Sequence, residues 1–229
     1  MKRFLILILL FPFLLISSCK KDDNPTQPTT STSCAGIPTV TYAGKTYNTV
    51  QIGSQCWLKE NLDVGDVIQV SQKQTDNGVI EKYCYDNNTA NCNTYGGLYQ
   101  WDEAMQYVTT QGTQGICPSG WHIPTYTEFQ TLDTYVNNDG NALKAIGQGI
   151  GGGVGTNTSG FSALLTGNRF PSGYFGYLGS TTYFWISTED TASYNNYLGL
   201  SLNLRANYSG IFFIDASKNY GLSVRCLKD

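Results

Sequence analysis

The chain of 229 residues contains one histidine and two methionines, and aspartate, glutamate, lysine and arginine together make up only 14% of it. Little acid–base machinery can be built from that set. Any Ser-His-Asp or Cys-His device would have to use His122, whose setting in Gly120-Trp121-His122-Ile123-Pro124 reads as a structural histidine packed beside Trp121. No G-x-S-x-G elbow, no H-E-x-x-H pair and no C-x2-C spacing occurs. Beyond Lys20-Lys21 there is no cluster of lysine or arginine. With a net charge of −3 and an isoelectric point near 5.1, this argues against a nucleic-acid partner. The one long apolar run, Phe4 to Ile16, is too short to cross a bilayer.

That run follows Met1-Lys2-Arg3 and ends in small residues, so residues 1–18 read as a secretory leader. Ile16-Ser17-Ser18-Cys19 resembles a bacterial lipobox, which makes Cys19 the expected lipidation site and the membrane a partner through that anchor. Lys20-Lys21-Asp22-Asp23 resembles the signal that sends some Bacteroidetes lipoproteins outward. The expected location is therefore the outer membrane, facing the cell exterior. Residues 20–33 carry no apolar side chain larger than proline, so 19–33 reads as a lipidated flexible tether and 34–229 as one folded domain.

Setting Cys19 aside leaves six cysteines, an even number in an exported chain, which points to three disulfides. Short closures give Cys34–Cys56 and Cys84–Cys92. Cys117–Cys226 then joins the middle of the domain to its end.

Hydrophobic periodicity supplies the elements. Val40 to Ile52 reads as a hairpin around Ala43-Gly44. Leu98, Trp101, Met105 and Val108 fall on one face of a helix starting after Gly96-Gly97. Thr125 and Glu128 make a capping box ahead of Phe129, Leu132 and Val136, with Asn137-Asn138-Asp139-Gly140 as the stop. Gly147 to Gly160 reads as a long mobile loop. Tyr183 to Ser187 and Ile211 to Ile214 read as strands. Leu198, Leu200, Leu202 and Leu204 alternate with Gly199, Ser201 and Asn203, which predicts a sheet with one wet face. The class is α+β.

Thr49-Val-Gln-Ile-Gly53, Cys56-Trp-Leu-Lys-Glu-Asn-Leu62, Tyr95-Gly-Gly-Leu-Tyr-Gln-Trp101, Cys117-Pro-Ser-Gly-Trp-His-Ile-Pro-Thr125, Trp185-Ile-Ser-Thr-Glu189 and Ser223-Val-Arg-Cys226 occur in that order. Together they resemble the FISUMP family, the major paralogous domain named after Fibrobacter succinogenes. The family is similar to C-type-lectin-like domains, and the resemblance implies two helices, a small mainly antiparallel sheet and a long irregular loop. Formylglycine-generating enzymes share that likeness, but the cysteine pair they need shortly before the end is missing, since none lies between Cys117 and Cys226.

A non-catalytic role is expected. Tyr174 and Tyr177, with Phe170 and Phe175, interleave with Gly173, Gly176 and Gly179, while Tyr194, Asn195, Asn196 and Tyr197 share a later loop. Flat rings cover the apolar face of a sugar and asparagines bond its hydroxyls, so these residues are the expected ligand site, for a glycan or a surface protein. No cofactor is required; a calcium ion at Glu189 and Asp190 with Asn195 or Asn196 is a weaker expectation, because the sugar-lectin triplets are missing. The alternatives are an adaptor in a surface assembly and a glycan hydrolase using two of Glu103, Glu128, Glu189 and Asp190. Glu103 and Glu128 read more simply as a helix-surface and a capping residue. Asp190-Thr191-Ala192 resembles a short O-glycosylation acceptor. The four tryptophans are assigned to the core.

Overall fold

The expected hairpin forms: β1 (Thr39–Tyr42) and β2 (Lys45–Ile52) pair antiparallel, with Tyr42 opposite Lys45. Ala43 and Gly44 both take positive φ, 47° and 80°, the geometry such a tight turn demands. This computed structural model describes residues 32–189 and 197–229. The leader, Cys19, most of the tether, and the segment with Asp190, Thr191, Tyr194, Asn195 and Asn196 lie outside the described residues.

β3 (Gln55–Leu58) continues the hairpin, and β4 (Asp66–Val67) pairs in parallel with β5 (Glu81–Lys82). The helices α1 (Thr89–Tyr95) and α2 (Trp101–Ala104) precede β6 (Trp121–His122), and α3 (Tyr126–Tyr135) and the single turn α4 (Gly140–Leu143) follow it. The second half is mostly strand: β7 (Thr166–Arg169), β8 (Phe175–Leu178), β9 (Thr181–Glu189), β10 (Leu198–Arg205), β11 (Phe212–Ser217) and β12 (Leu227–Lys228). Two five-stranded sheets result, ordered β1-β2-β3-β12-β6 and β11-β10-β9-β7-β8. The class is mixed α+β, as expected.

Helix α3 carries its capping box in full. The Thr125 side chain accepts from the Glu128 N–H, and the Glu128 carboxylate accepts from the Thr125 N–H at 2.8 Å. The helix expected at 98–108 shrinks to Trp101–Ala104. At its front, Tyr99 is captured by a backbone pair with Leu222, and behind it Gln106 and Tyr107 turn to positive φ, which stops the helix. Conversely, the asparagine-rich stretch between Cys84 and Cys92 contributes to a helix that periodicity gave no sign of. Asn88 caps α1 by accepting from the Ala90 N–H, and only Cys92 within α1 is buried.

The wet face expected on β10 is absent. Ser201 and Asn203 are fully buried, because the sheet is packed on both sides. Leu202 and Leu204 join Trp57, Phe129, Phe161 and Phe184 in one core; Trp101, Trp121, Trp185, Tyr47 and Tyr99 belong to a second. The small polar side chains fit between because Ser201 donates to the Ile214 carbonyl and Asn203 to that of Thr182. Gly199 lies under Trp101, where a Cβ would come within 2.7 Å of the indole. All four tryptophans are core residues, as expected.

Gly147 to Gly160 is irregular but tied down. Lys144, fully buried, donates to the carbonyls of Gly153, Arg205 (2.9 Å) and Tyr208 (2.8 Å), fastening the glycine-rich segment to the end of β10. The Ile150 N–H adds a bond to the Ala206 carbonyl at 2.7 Å.

Residues 221–228 join the two sheets. Leu222 pairs with Tyr99, Ser223 with β9, and Leu227 with both Trp57 and His122. Between them Arg225 is 1% exposed. Its guanidinium donates to Asn61, Leu58 and Phe161 and lies 4.4 Å from the Phe161 ring and 5.3 Å from that of Phe184.

The three disulfides are Cys34–Cys56, Cys84–Cys92 and Cys117–Cys226, with sequence separations of 22, 8 and 109. Loop-closure entropy makes the last the largest contributor. Replacing Cys117 and Cys226 together by alanine is expected to cost about 5 kcal/mol, and replacing Cys84 and Cys92 about 2.5 kcal/mol. Denaturant unfolding of the two double variants checks the order; equal losses would refute it.

Candidate functional site

The aromatic stretch after β7 divides by which way its rings go. Phe170 opens a tight turn closed by its N–H on the Tyr174 carbonyl (2.8 Å) and the Gly173 N–H on its own carbonyl (2.9 Å). Gly173 sits at φ 86°, a conformation that favours glycine. Tyr174 stacks on Phe170 at 4.3 Å between centroids, and Tyr177 and Tyr220 pack on the same ring at 5.6 Å each. Phe175 instead packs on Tyr85 at 5.1 Å and serves the fold. Tyr177 itself holds φ 66°, an uncommon conformation for a large side chain and one that marks many ligand-facing residues.

This cluster walls a cavity of about 290 Å³. Phe170, Tyr177, Tyr183 and Tyr220 line it with Ile214 and Leu222, while Asn168, Asp215 and Ser217 add polar groups. The tyrosine hydroxyls divide by whether the protein bonds them. Those of Tyr47, Tyr83, Tyr99 and Tyr107 are each engaged by a backbone group or by Glu103. Those of Tyr174, Tyr177, Tyr183 and Tyr220 have no partner among the described residues. Burial, helped by the nearby phenols of Tyr183, Tyr174 and Tyr177, raises the Tyr220 pKa, so its hydroxyl stays a neutral donor. Asn168 is 2% exposed, and its Oδ1 has no hydrogen-bond partner among the described residues.

Of the expected ligand residues, Tyr174 and Tyr177 meet here, both more than half exposed. Tyr197 is equally exposed and does not line the cavity, though its carbonyl accepts from the Lys218 N–H, one residue past Ser217. Tyr194, Asn195 and Asn196 lie outside the described residues. Asn168, Tyr183 and Tyr220 carry no local sequence signal. They are brought together only when β7, β9 and the turn after β11 come side by side.

The expected carboxylates are engaged elsewhere. Glu103, read as a helix-surface residue, is fully buried: it accepts from the Glu81 N–H (2.9 Å) and the Tyr107 hydroxyl (2.7 Å), and burial raises its pKa. Glu189 pairs with Lys218, whose ammonium lies over the Trp101 ring. Asp190 lies outside the described residues, among which no group of three potential metal ligands occurs. His122 is clamped between Glu128 at 3.0 Å and Asp229 at 2.7 Å.

The family model of the Fibrobacter succinogenes major domain matches residues 50–228. The chain belongs to that family. No curated protein and no solved structure matches it. In this Fibrobacter succinogenes major domain Trp57 and Leu58 supply core, Thr125 caps α3, and Arg225 and Cys226 join the sheets. The aromatic cavity is lined by none of those five residues.

The His122 clamp gives the domain a pH dependence. The Glu128 hydrogen bond raises the imidazole pKa, against the opposing effect of burial and with help from Asp229. A group raised on folding stabilises fully below its unfolded value, about 6.5, and loses that contribution as pH rises through the folded value. Burial works against the Glu128 carboxylate, but hydrogen bonds from His122 and Thr125 outweigh it and lower its pKa, so its share is lost as pH falls into the acid range. Thermal stability is expected to decline above about pH 6.5 in the natural protein and to flatten there in His122→Gln. Melting curves across that window decide it, and parallel slopes would contradict the clamp.

Proposed function

We propose that the domain is a non-catalytic recognition module on a lipid-anchored outer-membrane protein, binding glycan at the Phe170 cavity. What carries the reading is one ring-walled cavity lined by three tyrosines, Tyr177, Tyr183 and Tyr220, whose hydroxyls have no partner among the described residues. A pyranose offers apolar C–H faces to such rings and hydroxyls to such phenols, and Asn168 adds an acceptor without a partner. The leader 1–18, lipidated Cys19 and the tether 19–33 form the presenting arm in this reading, and the C-type-lectin-like fold is its architectural counterpart. Binding needs no calcium ion, since Glu189 already has Lys218 as a partner.

A second reading, an adaptor within a surface assembly, draws on Ile146, Ile150 and Val154, which stand exposed along one glycine-rich segment.

The test is an oligosaccharide and polysaccharide array probed with residues 32–229, which hold both described cores, in calcium and in a chelator. Binding is expected under both conditions. Tyr177→Ala should weaken it about tenfold, equivalent to roughly 1.4 kcal/mol, and Tyr220→Phe, which removes only a hydroxyl, should weaken it less. A blank array would overturn the glycan reading in favour of the adaptor, to be pursued by cross-linking on intact cells.

A further inference from the structure

A different cavity, sharing no lining residue with the aromatic one, lies over the buried arginine. A guanidinium has five N–H donors. In Arg225 the Nε–H and one Nη2–H go to Asn61 Oδ1, at 3.1 and 2.6 Å, and the two on Nη1 go to the carbonyls of Leu58 (3.2 Å) and Phe161 (2.7 Å). These three acceptors are neutral, and the fifth N–H, on Nη2, has none among the described residues. Burial pushes the Arg225 pKa down to about 9, and Glu60 offsets only part of this. A charge taken out of water without a contacting counter-charge is unfavourable, and an oxyanion beside it would remove that imbalance with a charge-assisted hydrogen bond.

The space for one is present. A cavity of about 260 Å³ is lined by Arg225, Asn61, Lys45, Lys59, Glu60 and Tyr95, among others. Lys45 pairs with Asp63 at 3.2 Å. Glu60 turns its carboxylate to the backbone and side-chain amides of Asn48, at 2.7 and 2.8 Å. Lys59 has no acidic partner among the described residues. The lining thus holds three cations against one carboxylate that is already hydrogen-bonded, in a protein whose net charge is negative.

We propose that this cavity is an anion site that takes one oxyanion group, a carboxylate or a sulfate, beside Lys59 and Arg225. The group can come from a free ion or from an acidic sugar, and Arg225 is the fixed charge that selects it. Lys59, half-buried at the cavity wall, is the adjustable one.

The experiment follows the Arg225 Nε–H resonance of 15N-labelled residues 32–229 during titration with sodium sulfate, sodium acetate and a short oligogalacturonate, at ionic strength held constant with chloride. A saturable shift with sulfate or acetate is expected in the natural protein. In Lys59→Ala the midpoint should rise severalfold, and in Lys59→Glu, which reverses a half-buried charge while leaving Arg225 in place, at least about tenfold. An oligogalacturonate midpoint at least about tenfold below that of acetate assigns the anion to an acidic glycan; equal midpoints assign it to a free ion. A shift that never saturates, or one that titrates alike in the natural protein and Lys59→Glu, overturns the proposal. Because Arg225→Met removes a core crosslink, the Lys59 variants carry the decision, and a Glu variant whose other resonances match the natural protein certifies that the fold is retained.

Discussion

The buried guanidinium of Arg225 is the contact on which the two sheets depend. It reaches β3 through Leu58, the following segment through Asn61, and the end of the glycine-rich segment through Phe161, and it lies near the ring of Phe184 on β9. No single apolar side chain could make those contacts at once, because three carbonyl-type oxygens would be left without donors in a dry interior. The neighbouring residues Leu222 to Leu227 add ladder bonds to both sheets, and Cys226 adds a covalent one. A short stretch at the end of the chain therefore completes packing begun far earlier in the sequence, which makes the fold rich in long-range contacts.

Lys144 repeats the device on a smaller scale. Its ammonium sits among three backbone carbonyls, those of Gly153, Arg205 and Tyr208, where the glycine-rich segment passes the end of β10. In both cases a cation with several donors replaces the hydrogen bonds that an irregular segment cannot make to itself. Irregular backbone in the interior is tolerable only where such donors reach it.

What the sequence revealed followed from how local each signal was. Thr125 and Glu128 sit three residues apart, so the capping box was legible, and so was the hairpin around Ala43-Gly44. The cysteine closures were legible from spacing and parity. The wet face assigned to Ser201 and Asn203 failed because alternation reports polarity, and a small polar side chain with a backbone partner can lie in a core. The helix through Leu98 to Val108 shrank to one turn because a distant partner, Leu222, claimed Tyr99 at its front and Gln106 and Tyr107 turned to positive φ behind it. The candidate site was half legible. Tyr174 and Tyr177 stand in a conspicuous glycine–aromatic run, but Asn168, Tyr183 and Tyr220 are ordinary residues until the sheet assembles them.

The entry of the chain into the fold has a mechanical meaning. The Thr32 carbonyl accepts from the Gln51 N–H at 2.9 Å, and two residues later Cys34 is bonded to Cys56 on β3. A pull applied at residue 32 loads one hydrogen bond to β2 and then a covalent link to β3 in the middle of the first sheet, so β1 is bypassed. From β3 the load passes to β12 beside it and onward along residues 221–228 to the sheet that bears the aromatic cavity. The hairpin at the edge cannot be peeled away strand by strand. The covalent link at Cys34 hands the load to β3 before β1 can carry it.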